Sequence, residues 1–194
     1  MKLQDWKEVN IWERDWWGEG VNTYMEETKQ VVYAFAMGLK PFRKNSGVWI
    51  DIQGKNILDV GGGYVSLLLK TFNRGENLTV SDPILQYAPD WIKERYNFLG
   101  INITDKMGEE LLEHTKYGEV WLYNVLQHTQ DPVKILKHIK QIAPVIRICE
   151  WLDTPAQIGH PQTITKQMLD ETLGIDIKVE EVCGKKAGVG VYEI

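Results

Sequence analysis

An α/β fold follows from three observations: a three-layer, doubly wound sheet, mostly parallel, closed by an antiparallel C-terminal hairpin and preceded by an N-terminal helical arm. The first is the stretch Lys55–Lys70, where apolar Ile57, Leu58 and Val60 run into Gly61, Gly62 and Gly63 and then into Val65–Leu69. A short continuous apolar run suits a strand buried on both faces, and glycines let the chain turn sharply before a helix. The second is repetition, because apolar runs within Asn77–Asp82, Ile101–Thr104, Glu119–Tyr123 and Val145–Glu150 alternate with segments of helical period. The third is the ending. Ile175–Val182 and Gly188–Glu193 are joined only by Cys183–Ala187, and a parallel return needs a crossover of a dozen or more residues, so these two strands pair antiparallel.

Trp6, Trp12, Trp16 and Trp17 crowd the first twenty residues, and so much aromatic area has to be buried somewhere. A helical arm packed on the domain accounts for them. A lid over a substrate is compatible with that arm, and Arg14, Trp16, Trp17 and Tyr24 are the residues it would present. Thr23-x-x-Glu26 matches a capping box, Gly38 is placed to end the helix, and Val32, Phe35, Ala36 and Leu39 share one face. Residues 40–47 read as a loop, and Val48–Ile52 as a short strand or an extended lead-in. Residues 1–46 thus form the arm or lid and 47–194 the doubly wound domain.

Within that domain, Val65–Phe72 follows the glycines as a helix and Asn77–Asp82 is the second strand. Pro89 and Asp90 open a helix that turns Ile92, Tyr96 and Leu99 inward, and Gly100 closes it before the third strand. After the fourth strand, Asp131 and Pro132 are a cap and a first helical residue. Val133, Ile135, Leu136, Ile139 and Ile142 then face inward, with Lys134, Lys137 and Lys140 on a solvated face. Val145–Glu150 is the fifth strand; Thr163 or Thr165 caps the last helix, which Gly174 ends.

With 194 residues, 43% of them apolar, the chain suffices for one domain with a substantial core. A net charge of −5 and a pI near 5.4 argue against general affinity for nucleic acid, whose phosphates require a positive surface. Cys149 and Cys183 both lie in apolar segments and read as small buried thiols, neither metal ligands nor a disulfide. The N-terminus lacks a signal-peptide core, and no apolar run reaches the roughly 18 residues of a membrane span. The expectation is a soluble cytoplasmic protein with a small-molecule ligand, without metal, membrane or nucleic-acid partner.

The glycine turn places free helix-start N–H groups near a ligand, as nucleotide sites do. Asp59 separates the possibilities. A pyrophosphate would be repelled by a carboxylate two residues before the first glycine, whereas a cationic amino-acid portion would be attracted. Ser66 also stands where a dinucleotide fingerprint has its third glycine. Asp82, about 20 residues on, is at the interval that brings a carboxylate to ribose hydroxyls. Asp59-Val-Gly-Gly-Gly63 resembles motif I, D/E-x-G-x-G-x-G, of the class I S-adenosylmethionine-dependent methyltransferases, with Val65 in place of the last glycine. Asn124-Val-Leu-Gln-His-Thr-Gln-Asp-Pro132 resembles the segment after the fourth strand in members acting on small molecules.

The resemblance implies S-adenosylmethionine as cofactor. Asp59 with Gly61, Gly62 and Gly63 would hold its methionine portion, Asp82 beside Pro83 its ribose, Met107, Gly108 and Glu109 its adenine, and Asn124 and Val125 its amino end. Methyl transfer needs alignment and exclusion of water more than acid–base groups. A hydroxyl or protonated amine acceptor would need a base, for which His128 is the first candidate and His160 and Glu150 the alternatives. Asn124 is not followed by Pro-Pro-aromatic and neither cysteine follows proline, so the signatures of DNA-base methylation are missing and a small acceptor is favoured. Two other readings stand beside this one: a dinucleotide-dependent oxidoreductase, and a non-catalytic module that binds the cofactor or a partner.

Overall fold

The computed structural model describes residues 3–17, 23–45, 47–111 and 116–194; in the first two helices side chains are described at 8, 11–17, 26 and from 28 onward. In chain order the elements are α1 (Leu3–Trp17), α2 (Thr23–Ala36), β1 (Phe42–Lys44), β2 (Gly47–Asp51), β3 (Ile57–Val60), β4 (Thr71–Phe72), β5 (Leu78–Ser81), α3 (Asp90–Phe98), β6 (Asn102–Thr104), β7 (Glu119–Tyr123), α4 (Pro132–Ile142), β8 (Val145–Trp151), α5 (Lys166–Leu173), β9 (Lys178–Val182) and β10 (Lys185–Glu193). A seven-stranded sheet runs β6-β5-β3-β7-β8-β10-β9. All neighbours pair parallel except β10, which is antiparallel to both β8 and β9.

The central strands are buried on both faces, so alternate residues serve two cores. Ile57, Trp121 and Cys149 face one, with Leu67, Leu68, Ile92 and Tyr96 packed over them. Leu58, Val120, Leu122 and Ile148 face the other, under α4 and α5 through Ile135, Ile139 and Leu169. Each such side chain, fully removed from water, contributes roughly 1.5–3 kcal/mol. Tyr33, Ala34, Met37 and Leu39 belong to the first core, so α2 shares the apolar interior of the sheet. A polar clamp closes that end: Glu119 accepts from Arg147 Nε at 2.7 Å and from Lys55, while Arg147 Nη1 donates to Met37 O at 2.8 Å.

The structure corrects four of the readings above. No α-helix follows the glycines; two 3₁₀ turns, Gly63–Val65 and Leu67–Lys70, take its place. Ser66 breaks the run, its Oγ donating to Asp59 and accepting from Leu68 N at 3.0 Å. The amides that would begin a helix donate to tyrosine hydroxyls instead, Ser66 N to Tyr96 at 3.0 Å and Leu67 N to Tyr123 at 3.1 Å. Leu67, Leu68 and Leu69 are all buried, so this segment is interior rather than amphipathic.

Second, residues 40–47 are not all loop. β1 forms a hairpin with β2, and β2 pairs parallel with β4, making a separate three-stranded sheet. Third, α2 is turned from the expected phase: Val32 and Phe35 are 41% and 60% exposed, and Gln30, Tyr33, Ala34 and Met37 face inward. Gln30 faces inward despite its polarity because its amide donates to Val65 O. Fourth, the last hairpin turns on Cys183 (φ 51°) and Gly184 (φ 73°) alone, so β10 begins at Lys185 and Cys183, expected as a buried thiol, is exposed at the turn while Cys149 is buried. Two positive φ values in a two-residue connection match the right-handed twist of paired strands. Among the described residues no helix is long and apolar enough to cross a membrane.

Candidate functional site

From β3 the chain builds outward through β5 and β6, then returns to the other side of β3 to build β7 and β8. Loops leaving the strands diverge at such a reversal and open a crevice beyond the carboxyl ends. Here it is a cavity of about 370 Å³, within the roughly 300–1,000 Å³ of small-molecule sites.

Gly61 and Gly62 line its floor. Gly61 has φ +76°, and a β-carbon there would stand 2.0 Å from Val125 Cγ2, so two loops meet at a point that only glycine can occupy. Gly63 does not line the cavity; Trp17 covers it, and its N–H donates to Asp82 Oδ2 at 2.9 Å. Asp59, expected to meet the ligand directly, is fully buried beneath the turn and absent from the cavity wall. Its Oδ2 accepts from Ser66 Oγ and from Tyr123 Oη at 2.5 Å, while Oδ1 has no partner among the described residues. Burial pushes its carboxyl up to about 7 against the lowering effect of those two hydrogen bonds. Asp59 is thus a brace for the glycine turn.

Asp82 leaves β5 at the cavity wall. One carboxylate oxygen caps the 3₁₀ turn Pro83–Tyr87 through Ile84 N at 2.9 Å and the other holds Gly63. Each oxygen keeps a lone pair for a further donor. Burial raises this carboxyl to about 6, with the Ile84 bond opposing. Pro83, Met107, Gly108 and Glu109 line the same end. Glu109 is already engaged, its Oε1 accepting from Gln130 N at 3.0 Å and Asp131 N at 2.9 Å. Asn124, at φ 54°, and Val125 line the wall after β7. Glu150, expected as an alternative base, is fully buried and does not line the cavity. Its carboxylate accepts from Val125 N at 3.0 Å and Leu126 N at 3.2 Å, and burial holds it up at about 8.

The opposite wall comes from the two N-terminal helices. Trp12, Glu13, Trp16 and Trp17 of α1 and Glu26, Lys29, Gln30 and Tyr33 of α2 line it. Trp17 lies against Tyr64, ring centroids 5.2 Å apart. Arg14 faces away, bonded to Asp15 at 2.8 Å and lying over Tyr87, and does not line the cavity. The side chain of Tyr24 lies outside the described residues. Pattern reading missed Glu13, Lys29, Tyr33, Tyr123 and Lys185, all of which line the cavity. The crowding of tryptophans around Glu13 was the one signal present.

His128 and His160 both line the cavity, edge to face with centroids 4.5 Å apart. Glu13 Oε1 lies 2.7 Å from His128 Nδ1, an ion-pair distance without the alignment of a hydrogen bond. Burial pulls the His128 pKa down, but Glu13 more than offsets it and leaves the value above the ordinary one. His160 falls to about 4 through burial and the charge of its neighbour. A raised folded pKa means that the pair stabilises fully below the ordinary imidazole value near 6.5 and that this is lost as pH rises through the folded value. Glu13→Gln is therefore expected to cost about 0.5–1 kcal/mol at pH 6 and nothing well above neutrality. Melting curves of both proteins should converge with rising pH; a pH-independent gap would refute the pairing.

No family model matches the chain. A tRNA U34 carboxymethyltransferase of Campylobacter curvus (strain 525.92) is 29% identical over 140 residues, 59% of this chain and 46% of that protein. The chain therefore spans about half the length of the curated relative it matches. A 1,6-didemethyltoxoflavin-N1-methyltransferase of Burkholderia thailandensis, solved with 1,6-didemethyltoxoflavin and S-adenosylhomocysteine bound, superposes at a TM-score of 0.67 with 13% identity, covering 100% of this chain and 90% of that one. The chain has the class I methyltransferase fold. A mitomycin 7-O-methyltransferase matches at 0.59 with 16% identity over 88% of this chain and 55% of that one. Within the methyltransferase fold of this chain, the strand ends carrying Gly61, Asp82, Met107 and Asn124 converge on one cavity, and α1 and α2 supply its far wall.

Proposed function

We propose that the chain is an S-adenosylmethionine-dependent methyltransferase acting on a small-molecule acceptor. The observation that carries this is the pairing, across one cavity, of the Gly61-Gly62 turn with an Asp82 carboxylate whose two oxygens each hold one backbone N–H. Those oxygens suit vicinal ribose hydroxyls. Pro83 and Met107 offer apolar contact to a purine, and the turn at Asn124 and Val125 offers backbone groups to an amino-acid end. The donor set fits the cofactor, which when bound supplies a methyl group on a sulfonium leaving group. The chain's own part is to hold the two reactants in line and keep water out, and the tryptophans of α1 do the second. For a hydroxyl acceptor His128, made more basic by Glu13, takes the proton.

Similarity to a tRNA enzyme supplies a second reading, with an RNA base as acceptor. The net charge of −5 and the wall of α1 and α2 side chains speak for the small molecule. Calorimetric titration with S-adenosylhomocysteine, with NAD in a parallel cell, tests the cofactor. Micromolar binding of the former alone is expected, and binding of NAD alone overturns the reading. Once an acceptor is turned over, His128→Ala should lower kcat by about 100-fold with cofactor affinity retained; unchanged turnover removes His128 from the chemistry.

A further inference from the structure

The cavity wall is rich in rings. Trp12, Trp16, Tyr33, His128, Trp151 and His160 all line it. Three of them are neighbours, and a fourth packs on the residue before His160. His128 meets His160 edge to face, Trp151 stands 6.2 Å from His160, and Trp12 packs on Gly159, where a β-carbon would come within 2.6 Å of its ring. Rings favour a flat, π-rich guest over a flexible aliphatic one.

The basic side chains lining the cavity have acidic partners except at one place. Glu13 is paired with His128, and Glu26 with Lys29 at 2.7 Å. Lys185, at the start of β10, has no acidic partner among the described residues; its ammonium lies over Trp151, 3.6 Å from the ring centroid. The indole N–H of Trp151 is buried and likewise lacks an acceptor among the described residues. An unpaired cation beside an unsatisfied donor matches a carboxylate, which takes one hydrogen bond on each oxygen. A buried N–H left without an acceptor costs free energy that such a guest would recover.

Building on the methyltransferase reading, we propose that the acceptor is a planar aromatic carboxylate, its ring between Trp151 and the tryptophans of α1 and its carboxylate on Lys185 and the Trp151 indole N–H. Lys185 is then a specificity-determining residue that leaves the methyl-accepting atom of the guest directed back toward the cofactor.

The test uses the full chain. It is titrated first with S-adenosylhomocysteine, and the saturated protein is then titrated with 2-naphthoate, quinoline-2-carboxylate and indole-3-carboxylate, each beside its primary amide. The acids should bind at least about tenfold tighter than the amides. Lys185→Met should erase that preference and Lys185→Arg should keep it, with melting curves confirming that both variants are folded. Equal affinity of acid and amide, a preference that survives Lys185→Met, or no binding of any acid to the saturated protein overturns the assignment and leaves the methyltransferase reading in place. Failure of S-adenosylhomocysteine itself to bind overturns the reading beneath it.

Discussion

Asp82→Ala is expected to weaken S-adenosylhomocysteine binding by about two to four orders of magnitude, the equivalent of losing two charge-assisted hydrogen bonds worth roughly 1.5–3 kcal/mol each. The loss has a second source. Asp82 holds the glycine turn through Gly63 N and caps the turn after β5 through Ile84 N, so alanine also loosens the floor on which the cofactor lies. Capping contributes about 1 kcal/mol, and the variant should remain folded with a modestly lower Tm. Asp82→Asn keeps the shape and one acceptor oxygen, and should fall between the two. Calorimetry at neutral pH reads all three. Burial also gives the wild type a pH signature, because the carboxyl is held up at about 6. Affinity should decline as pH falls from 7 to 5, where an ordinary carboxylate with a pKa near 3.9 would remain ionised. Unchanged binding by Asp82→Ala, or a flat profile over that interval, would remove Asp82 from the ribose site.

What was legible in the sequence divides along physical lines. Ile57–Val60, Leu78–Ser81, Glu119–Tyr123 and Val145–Trp151 announce themselves because strands buried on both faces are predominantly apolar, their few charged members, such as Asp59 and Glu119, being hydrogen-bonded inside. Asp131 and Thr165 announce their helices because a cap is a local arrangement: each side chain accepts the N–H three residues on. The helix expected after Gly63 failed for the opposite reason. Its competitors are Tyr96 and Tyr123, hydroxyls from distant elements that take the Ser66 and Leu67 amides. The inward face of α2 was misread because Gln30 counts as polar in any periodicity, yet its amide satisfies Val65 O inside the core.

The candidate site shows the same division. Gly61, Gly62, Asp82 and Asn124 lie in short motifs where turn geometry demands particular residues. Glu13, Lys29 and Lys185 reach the cavity only through the docking of α1, the phase of α2 and the length of β10. Asp59 was visible as a carboxylate, but its role as a brace follows from its depth beneath the turn. Glu150 likewise ends a strand in the right place, and the amides of Val125 and Leu126 occupy it.

Gly61→Ala should be the most damaging single-methyl change in the chain, abolishing S-adenosylhomocysteine binding and lowering stability by roughly 2–5 kcal/mol. Part of that is backbone: φ +76° is left-handed, at about 1–2 kcal/mol for a residue with a β-carbon. The rest is steric, since the new methyl would stand 2.0 Å from Val125 Cγ2 and 2.7 Å from its Cβ. Val125 has little freedom to retreat, because its own N–H and that of Leu126 are both held by Glu150. The two contributions separate experimentally. Gly54 has φ +75° with nothing within 4 Å of a built β-carbon, so Gly54→Ala carries the backbone cost alone and should leave binding intact. Val125→Ala removes the closer of the two conflicts. The double variant Gly61→Ala/Val125→Ala should therefore be more stable than the sum of its single changes predicts, by more than about 1 kcal/mol. Denaturant unfolding of the four members of that cycle measures the coupling. Simple additivity would mean that the glycine turn and the loop after β7 do not press on each other, and the cavity floor would then not be the shared surface of those two loops.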